Sequence, residues 1–341
     1  MSMSTQIFSF PLVSVVIPVY NEQRYIRECL DSVFAQDYPI DRVEVIVVDG
    51  HSTDSTAEII RSEYPKVVLL ENPERIVPIS MNVGIRAAKG EYIVRLDAHA
   101  LYPSDYISYL ITNAVALSAD NVGVCCQTLP ANSTVKAKAI AIALSTKFGM
   151  GNSQFRIGTD RIRRVDTVPF GCYHRSVFER IGLYDEELVR NQDDEFNARL
   201  IKKGGKIFLL PGLVVKYYAR DTVRKVSKMF YQYGLFKPLG NKKAGRVQTA
   251  RQLVPFFFVA YLALLVVFLS IFPAMALVLL VPLLLYCLVD FAYSAYVAKS
   301  FRVFVWLVVI YPVVHTSYGG GYWHGIIKIF LHLPFIVSSS R

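Results

Sequence analysis

The sequence predicts an α/β protein: a mostly parallel central sheet with helices on both faces, followed by C-terminal transmembrane helices. Two observations carry this. Strand-like and helix-like runs alternate from Val13 to Leu96, the pattern of a parallel sheet covered on both sides. Then Gln252 to Val289 holds no charged residue, enough chain for two spans of about 20 residues if it turns tightly midway. Pro273 is placed for that turn.

The elements follow in order. Val13-Ser14-Val15-Val16-Ile17 reads as a strand ended by Pro18. Glu22 to Phe34 has helical spacing, with Tyr25, Ile26, Cys29, Leu30 and Val33 on one side. Val43 to Val48 is the second strand, and Ser55-Thr56-Ala57-Glu58 has the capping-box pattern that opens the next helix. Val67 to Leu70 is the third strand. Ile79 to Ala88 is a helix, with Gly90 suited to a left-handed residue at its end. Tyr92 to Leu96 is the fourth strand. From Thr222 onward, Val226, Met229, Phe230, Tyr233 and Phe236 form an apolar stripe, with Arg224, Lys225 and Lys228 off it. That helix lies in a membrane surface, or its stripe is buried core. Val135 to Leu144 is a weaker candidate of the same kind.

The predicted organisation is 1–220 as the α/β domain, 221–251 as a basic amphipathic interfacial helix and linker, and 252–341 as the membrane region. Spans are expected at about 252–271, 274–296 and 303–320; the last run fades into His315-Thr316-Ser317-Tyr318-Gly319-Gly320-Gly321. Whether Tyr322 to Val337 crosses is left open. Met1 to Phe10 lacks the basic region and apolar core of a signal peptide, so the α/β domain is expected in the cytoplasm. Five cysteines without a CxxC suggest neither a disulfide framework nor a zinc site.

Charge is concentrated in one place. The net charge is +10, yet residues 201–251 carry thirteen Lys or Arg against the single acid Asp221, which is +12 and leaves −2 for the rest. Immediately before a span, this reads as a positive-inside flank on anionic lipid rather than a nucleic-acid surface.

Polar clusters fall where open α/β sheets bind ligands, beyond the carboxyl ends of the strands. They are Tyr20-Asn21-Glu22, Asp49-Gly50-His51-Ser52 and Asp97-Ala98-His99. The absence of GxGxxG after the first strand argues against a dinucleotide oxidoreductase, and the absence of GxxxxGK[ST] excludes a P-loop NTPase.

Five segments in this order, "VSVVIPVYNEQRYIRECLDSV", "VEVIVVDGHSTDST", "SMNVGIRAAKGEYIVRLDAH", "VPFGCYHRSVFERIGLYDEEL" and "RNQDDEFNARL", resemble the successive motifs of family 2 glycosyltransferases with a GT-A fold. The details are similar to the ExoA-like, membrane-attached branch of exopolysaccharide and glycolipid assembly. The resemblance implies inverting transfer of a sugar from a nucleotide-diphosphate sugar, typically a UDP-sugar. The implied acceptor is a lipid-linked polyprenyl-diphosphate saccharide at the cytoplasmic membrane face. The alternatives are a polyprenyl-phosphate sugar synthase and a non-catalytic membrane scaffold. Asp97 and His99 would be the metal-binding DxD pair, with Mn²⁺ or Mg²⁺ bridging the donor phosphates; imidazole leans towards Mn²⁺. In an extended segment residues i and i+2 point the same way, so both could face one ion. Pro18, Tyr20, Glu22 and Asp49 would hold the nucleotide, with Asn82 and Asp97 along the ribose and phosphates. His51 and Asp54 read as turn and capping residues.

In the acidic motif Gln192 stands where Glu is common, and Asp193, Phe196 and Arg199 match. Asp193 would be the base that takes the acceptor proton, or Asp194 if the alignment slips by one. An acidic first turn would also suit the helix dipole. Phe170-Gly171 would wall the acceptor, or simply pack. Gln232-Tyr233-Gly234-Leu235-Phe236 stands where processive synthases carry QxxRW, which points to addition of a single sugar.

Overall fold

The computed structural model describes residues 10–151 and 153–335. Most of the segment read for a signal peptide, and the end of the Tyr322 to Val337 stretch, lie outside the described residues. The elements run β1 (Val13–Val19), α1 (Ile26–Phe34), β2 (Val43–Asp49), α2 (Thr56–Glu63), β3 (Val68–Glu71), α3 (Val77–Ala87), β4 (Tyr92–Arg95), β5 (Ala100–Leu101) and α4 (Tyr106–Leu117). They continue as β6 (Asn121–Leu129), α5 (Val135–Ala143), α6 (Lys147–Met150), α7 (Gln154–Ile157), β7 (Arg163–Arg164), β8 (Cys172–His174), α8 (Ser176–Ile181), α9 (Gln192–Lys202) and β9 (Ile207–Tyr218). Four long helices close the chain: α10 (Val223–Ala244), α11 (Leu253–Ile271), α12 (Pro273–Val297) and α13 (Phe301–Phe330). The chain packs as two units. The first holds the chain up to Val124, Asp160–Tyr184 and Leu200–Val215; the second holds Cys125–Thr159, Asp185–Arg199 and the chain from Lys216 on.

The strands are ordered β3-β2-β1-β4-β8-β6-β9-β5, with β7 on β9. β3, β2, β1 and β4 are parallel, and β8 runs antiparallel to β4. Val15, Val16, Ile17, Val47 and Val48 are fully buried, because both faces of these strands are covered. β1 continues through Pro18, which was expected to end it. Val16 turns its carbonyl towards β4, accepting from the Leu96 N–H at 3.0 Å. By alternation Pro18 presents to the same side, level with no residue of β4, so its missing N–H breaks no ladder there.

Three local expectations are corrected. The first helix starts at Ile26 rather than Glu22: Asn21 takes a positive φ of 56°, and the Glu22 carbonyl accepts the Tyr25 and Ile26 amides at 2.8 and 2.9 Å. The capping box is not made, because Asp54 accepts the Thr56 N–H at 3.0 Å and the Ser55 side chain makes no cap bond. Gly90 is not left-handed. A β-carbon there would collide with the backbone nitrogen and hydroxyl of Ser14, so close approach is what requires glycine.

In the second unit the apolar stripe of α10 is buried core. Val226, Met229 and Phe230 pack with Ile140 and Ala143 of α5 and with Leu307, Ile310 and Tyr311 of α13. Arg224, Lys225 and Lys228 remain exposed. Ala250–Ile271, Leu277–Val297 and Phe301–Phe330 are long and apolar enough to cross a membrane. α13 does not fade at its polar stretch. The ring of His315 bonds the Phe148 carbonyl through Nε2 and the Tyr286 hydroxyl through Nδ1, each at 2.8 Å, and Ser317 meets Ser227 at 2.9 Å. The glycines are contact points. A β-carbon at Gly321 would strike the Tyr231 carbonyl of α10, one at Gly234 the Tyr318 carbonyl of α13, and one at Gly319 the Pro255 carbonyl of α11. Small residues here let helix backbones touch, as in membrane helix pairs.

Candidate active site

The first unit carries most of the predicted residues at the carboxyl ends of β1, β2 and β4. Pro18 lies inside β1, with Tyr20 just past its end. The Arg75 guanidinium sits 5.9 Å from the centre of the Tyr20 ring. Asp49, the last residue of β2, is 5% exposed, and its carboxylate oxygens accept the Ser52 N–H at 3.2 and 3.1 Å. This Asx-type turn shapes the loop on which His51 adopts a φ of +55°. Asp54 accepts the Gln23 N–H at 3.2 Å and so ties the loop after β2 to the one after β1.

Asp97 follows β4 by two residues. Its backbone is fixed by Tyr102, whose hydroxyl accepts the Asp97 N–H at 2.8 Å and donates to the Asp97 carbonyl at 3.1 Å. Burial, reinforced by nearby Cys29 and Asp97, pushes the Tyr102 phenol well above its ordinary range, so it stays a neutral hydroxyl able to do both. The Asp97 carboxylate stands 3.5 Å from the Arg95 guanidinium. Ala98 and His99 form a turn, so strand alternation is not what orients the imidazole. Glu22 does so: its carboxylate, in a residue only 2% exposed, meets His99 Nδ1 at 3.0 Å.

Asn82 lies on α3, in the first unit. It is 1% exposed, its Nδ2 donates to the Tyr184 carbonyl and its Oδ1 accepts the Tyr184 N–H, both at 2.9 Å. A buried amide must satisfy both ends, and here both bond the Tyr184 backbone. Phe170-Gly171 is a packing feature. Phe170 is buried against Tyr102 with ring centres 5.8 Å apart, and a β-carbon at Gly171 would meet the Asn121 side chain at 2.5 Å.

The acidic motif belongs to the second unit and opens α9. Asp193 accepts the Asp194 N–H at 3.0 Å. Asp194 is ion-paired with Lys237 of α10 at 2.5 Å, and the Lys237 ammonium also reaches Gln248 at 3.3 Å. Arg190 donates to Gln232 at 3.1 Å, and Asn191 donates to the Tyr233 carbonyl at 2.9 Å. Arg199 holds Glu195 through two bonds of 2.9 Å, while Phe196 is fully buried. The motif is thus latched along Gln232 to Lys237, which takes in Gln232 to Phe236, the stretch that stands in place of QxxRW.

Sequence reasoning missed Lys237 and Tyr102. Lys237 had a signal: it lies seven residues after Phe230, so a cation sits on the buried face of an amphipathic helix. Tyr102 had none beyond its place after Asp97.

The profile of "Glycosyl transferase family 2" matches residues 14–182. A Methanococcus voltae protein, "Dolichyl N-acetyl-alpha-D-glucosaminyl phosphate 3-beta-D-2,3-diacetamido-2,3-dideoxy-beta-D-glucuronosyltransferase", is 30% identical over 242 residues, 68% of this chain and 74% of that one. "Succinoglycan biosynthesis protein ExoA" of Rhizobium meliloti is 31% identical over 246 residues, 71% of this chain and 73% of that one. Among solved structures, the mannosyltransferase PcManGT from Pyrobaculum calidifontis, in complex with GDP-Man and Mn²⁺, superposes with a TM-score of 0.57. It is 21% identical, covers 95% of this chain and 88% of its own, and shares the fold.

Proposed function

This chain belongs to glycosyl transferase family 2, and we propose that it is a membrane-anchored, inverting glycosyltransferase that adds one sugar to a lipid-linked saccharide at the cytoplasmic membrane face. The donor is a nucleotide-diphosphate sugar, a UDP-sugar in this reading. One observation carries the choice of acceptor. The acidic motif packs in the same unit as three helices long and apolar enough to cross a membrane. The Methanococcus relative, named for a dolichyl-linked sugar phosphate, supports a lipid-linked acceptor.

The acceptor hydroxyl attacks the anomeric carbon from the face opposite the diphosphate. The new glycosidic bond forms as the bond to the leaving diphosphate breaks, and the hydroxyl proton passes to Asp193. Asp193 is preferred over Asp194 because it takes the Asp position of the family pattern when Phe196 and Arg199 take theirs. Tyr20 and Asp49 line the nucleotide end.

Asp97 and His99 fit a divalent ion, Mn²⁺ or Mg²⁺, as one carboxylate and one imidazole. Among the described residues no group of three or more His, Cys, Asp or Glu converges on one point. Asp97 and His99 would therefore hold the ion only together with its nucleotide. When bound, the ion neutralises charge on the departing diphosphate.

The test incubates membranes holding the chain with labelled nucleotide sugars and a lipid extract, and weighs the lipid product. A gain of one sugar, lost in Asp97→Ala, is the expected result. A polymer, or a free sugar with no lipid product, overturns the proposal.

A further inference from the structure

The resemblance gives Glu22 to the nucleotide, but the structure gives it a different partner. Resting on the reading of Asp97 and His99 as metal ligands, we infer that Glu22 is a positioning residue for His99. It fixes the ring and its tautomer so that Nε2 is presented to the ion.

The argument begins with burial. Glu22 is 2% exposed and the His99 side chain 11% exposed, so a polar contact between them is screened little. The carboxylate stands 3.0 Å from Nδ1. In the inferred pairing the carboxylate accepts from Nδ1–H, the tautomer whose lone pair lies on Nε2. Metal-bound histidines recurrently donate their other ring nitrogen to a carboxylate in this way, which sets orientation and raises ligand basicity.

Glu22 is itself held. Its N–H donates to Thr56 Oγ1 at 2.7 Å, and Asp54 accepts the Thr56 N–H at 3.0 Å. Its carbonyl accepts the amides that open α1. The loops after β1 and β2 therefore converge on a carboxylate that reaches the turn after β4. A turn residue such as His99 needs this outside hold, because no strand pleat directs its side chain.

The test uses full-length protein in detergent, with Mn²⁺ and UDP as probes. Calorimetry measures Mn²⁺ affinity with UDP present and UDP affinity with the metal chelated. Pulsed EPR reads the ¹⁴N coupling of an imidazole bound to Mn²⁺. Glu22→Ala should weaken Mn²⁺ by about 10–100-fold and diminish the ¹⁴N coupling, with metal-free UDP affinity unchanged. Glu22→Gln keeps an acceptor oxygen and should recover most of both signals; if the alanine variant does not fold, Glu22→Met, which fills the space without an acceptor oxygen, takes its place. Loss of metal-free UDP affinity with Mn²⁺ affinity intact would return Glu22 to the nucleotide and overturn the inference. Unchanged Mn²⁺ affinity and coupling in both variants would do so too. If Asp97→Ala and His99→Ala keep wild-type metal-dependent UDP binding, it is the metal reading that fails; if only the Glu22 variants do, that reading stands and this inference alone falls.

Discussion

Replacing Asp194 with Asn and Lys237 with Met breaks one ion pair from its two ends, and burial makes the consequences unequal. The Lys237 side chain is 9% exposed and that of Asp194 is 27% exposed. Stranding one partner of a buried pair costs about 3–5 kcal/mol, whereas exposed pairs are worth about 0–1 kcal/mol. Asp194→Asn strands the more buried group and leaves the ammonium chiefly with Gln248, so we expect a loss of about 2–3 kcal/mol. Lys237→Met strands a carboxylate that water reaches, and about 1–2 kcal/mol is expected after that discount. The double variant should lose less than the sum, because the residues share one interaction. Thermal unfolding of detergent-solubilised protein at one scan rate reads the order. Asp193→Asn should behave differently: stability falls by no more than about 1 kcal/mol, the contribution of a first-turn acid to its helix, kcat falls about 10²–10⁴-fold and KM holds. If Lys237→Met proves the more damaging, the burial argument is wrong. If Asp193→Asn transfers sugar normally while folded Asp194→Asn is inactive, the base is Asp194 and the proposed assignment is refuted.

Asn82→Ala should cost about 1–3 kcal/mol by orphaning the Tyr184 backbone groups, while UDP affinity, measured by calorimetry, stays level. Gly321→Leu should lower the unfolding temperature and the transfer rate by forcing α13 away from the Tyr231 carbonyl, with Mn²⁺-dependent UDP binding retained. A cysteine at Phe272, on a Cys287→Ser background, should react with an impermeant reagent added to intact cells, because the positive-inside rule would put Arg251 and Lys299, at the foot of the hairpin, in the cytoplasm; labelling only after lysis would reverse this topology. Replacing exposed Arg224, Lys225 and Lys228 with Gln should weaken lipid-acceptor use, at about 1 kcal/mol for each charge near the surface, and equal loss of donor hydrolysis would mark the effect as structural.

The parallel strands were legible because each is buried on both faces and must be apolar throughout, as Val13 to Ile17 and Val45 to Val48 are. Their carboxyl ends were legible for the converse reason: Asp49 and Asp97 interrupt such runs where a core has no use for charge. What stayed hidden depends on partners far away in sequence. Nothing local says that Asn82 clamps Tyr184, 102 residues on, or that Glu22 meets His99, 77 residues on. The stretch from His315 to Gly321 misled for a related reason. Hydropathy scores polar and glycine residues as an end of a span, yet here they are where α13 meets α6, α10 and α11. Lys237 was hidden among thirteen basic residues whose common role masked one with a different role.

The acidic motif takes its position from α10, and α10 takes its path from α13. Arg190, Asn191 and Asp194 bond respectively to Gln232, Tyr233 and Lys237. Between those anchors lies Gly234, against which the Tyr318 carbonyl of α13 rests without room for a side chain. The motif is thus tied through α10 to a long apolar helix. That arrangement suits an acceptor anchored by its lipid. A tail held in a bilayer sets the height of the sugar hydroxyl, and a base serves it only if fixed to about the same frame, since displacement of about 1 Å can cost about 100-fold in rate. A soluble acceptor imposes no such demand, because it brings no external frame and could be positioned by the catalytic domain alone. The bonds of Arg190, Asn191 and Asp194 to α10, a helix packed on the long apolar α13, therefore favour the proposed membrane-bound acceptor more than apolar helices by themselves, which would serve equally well as a plain tether.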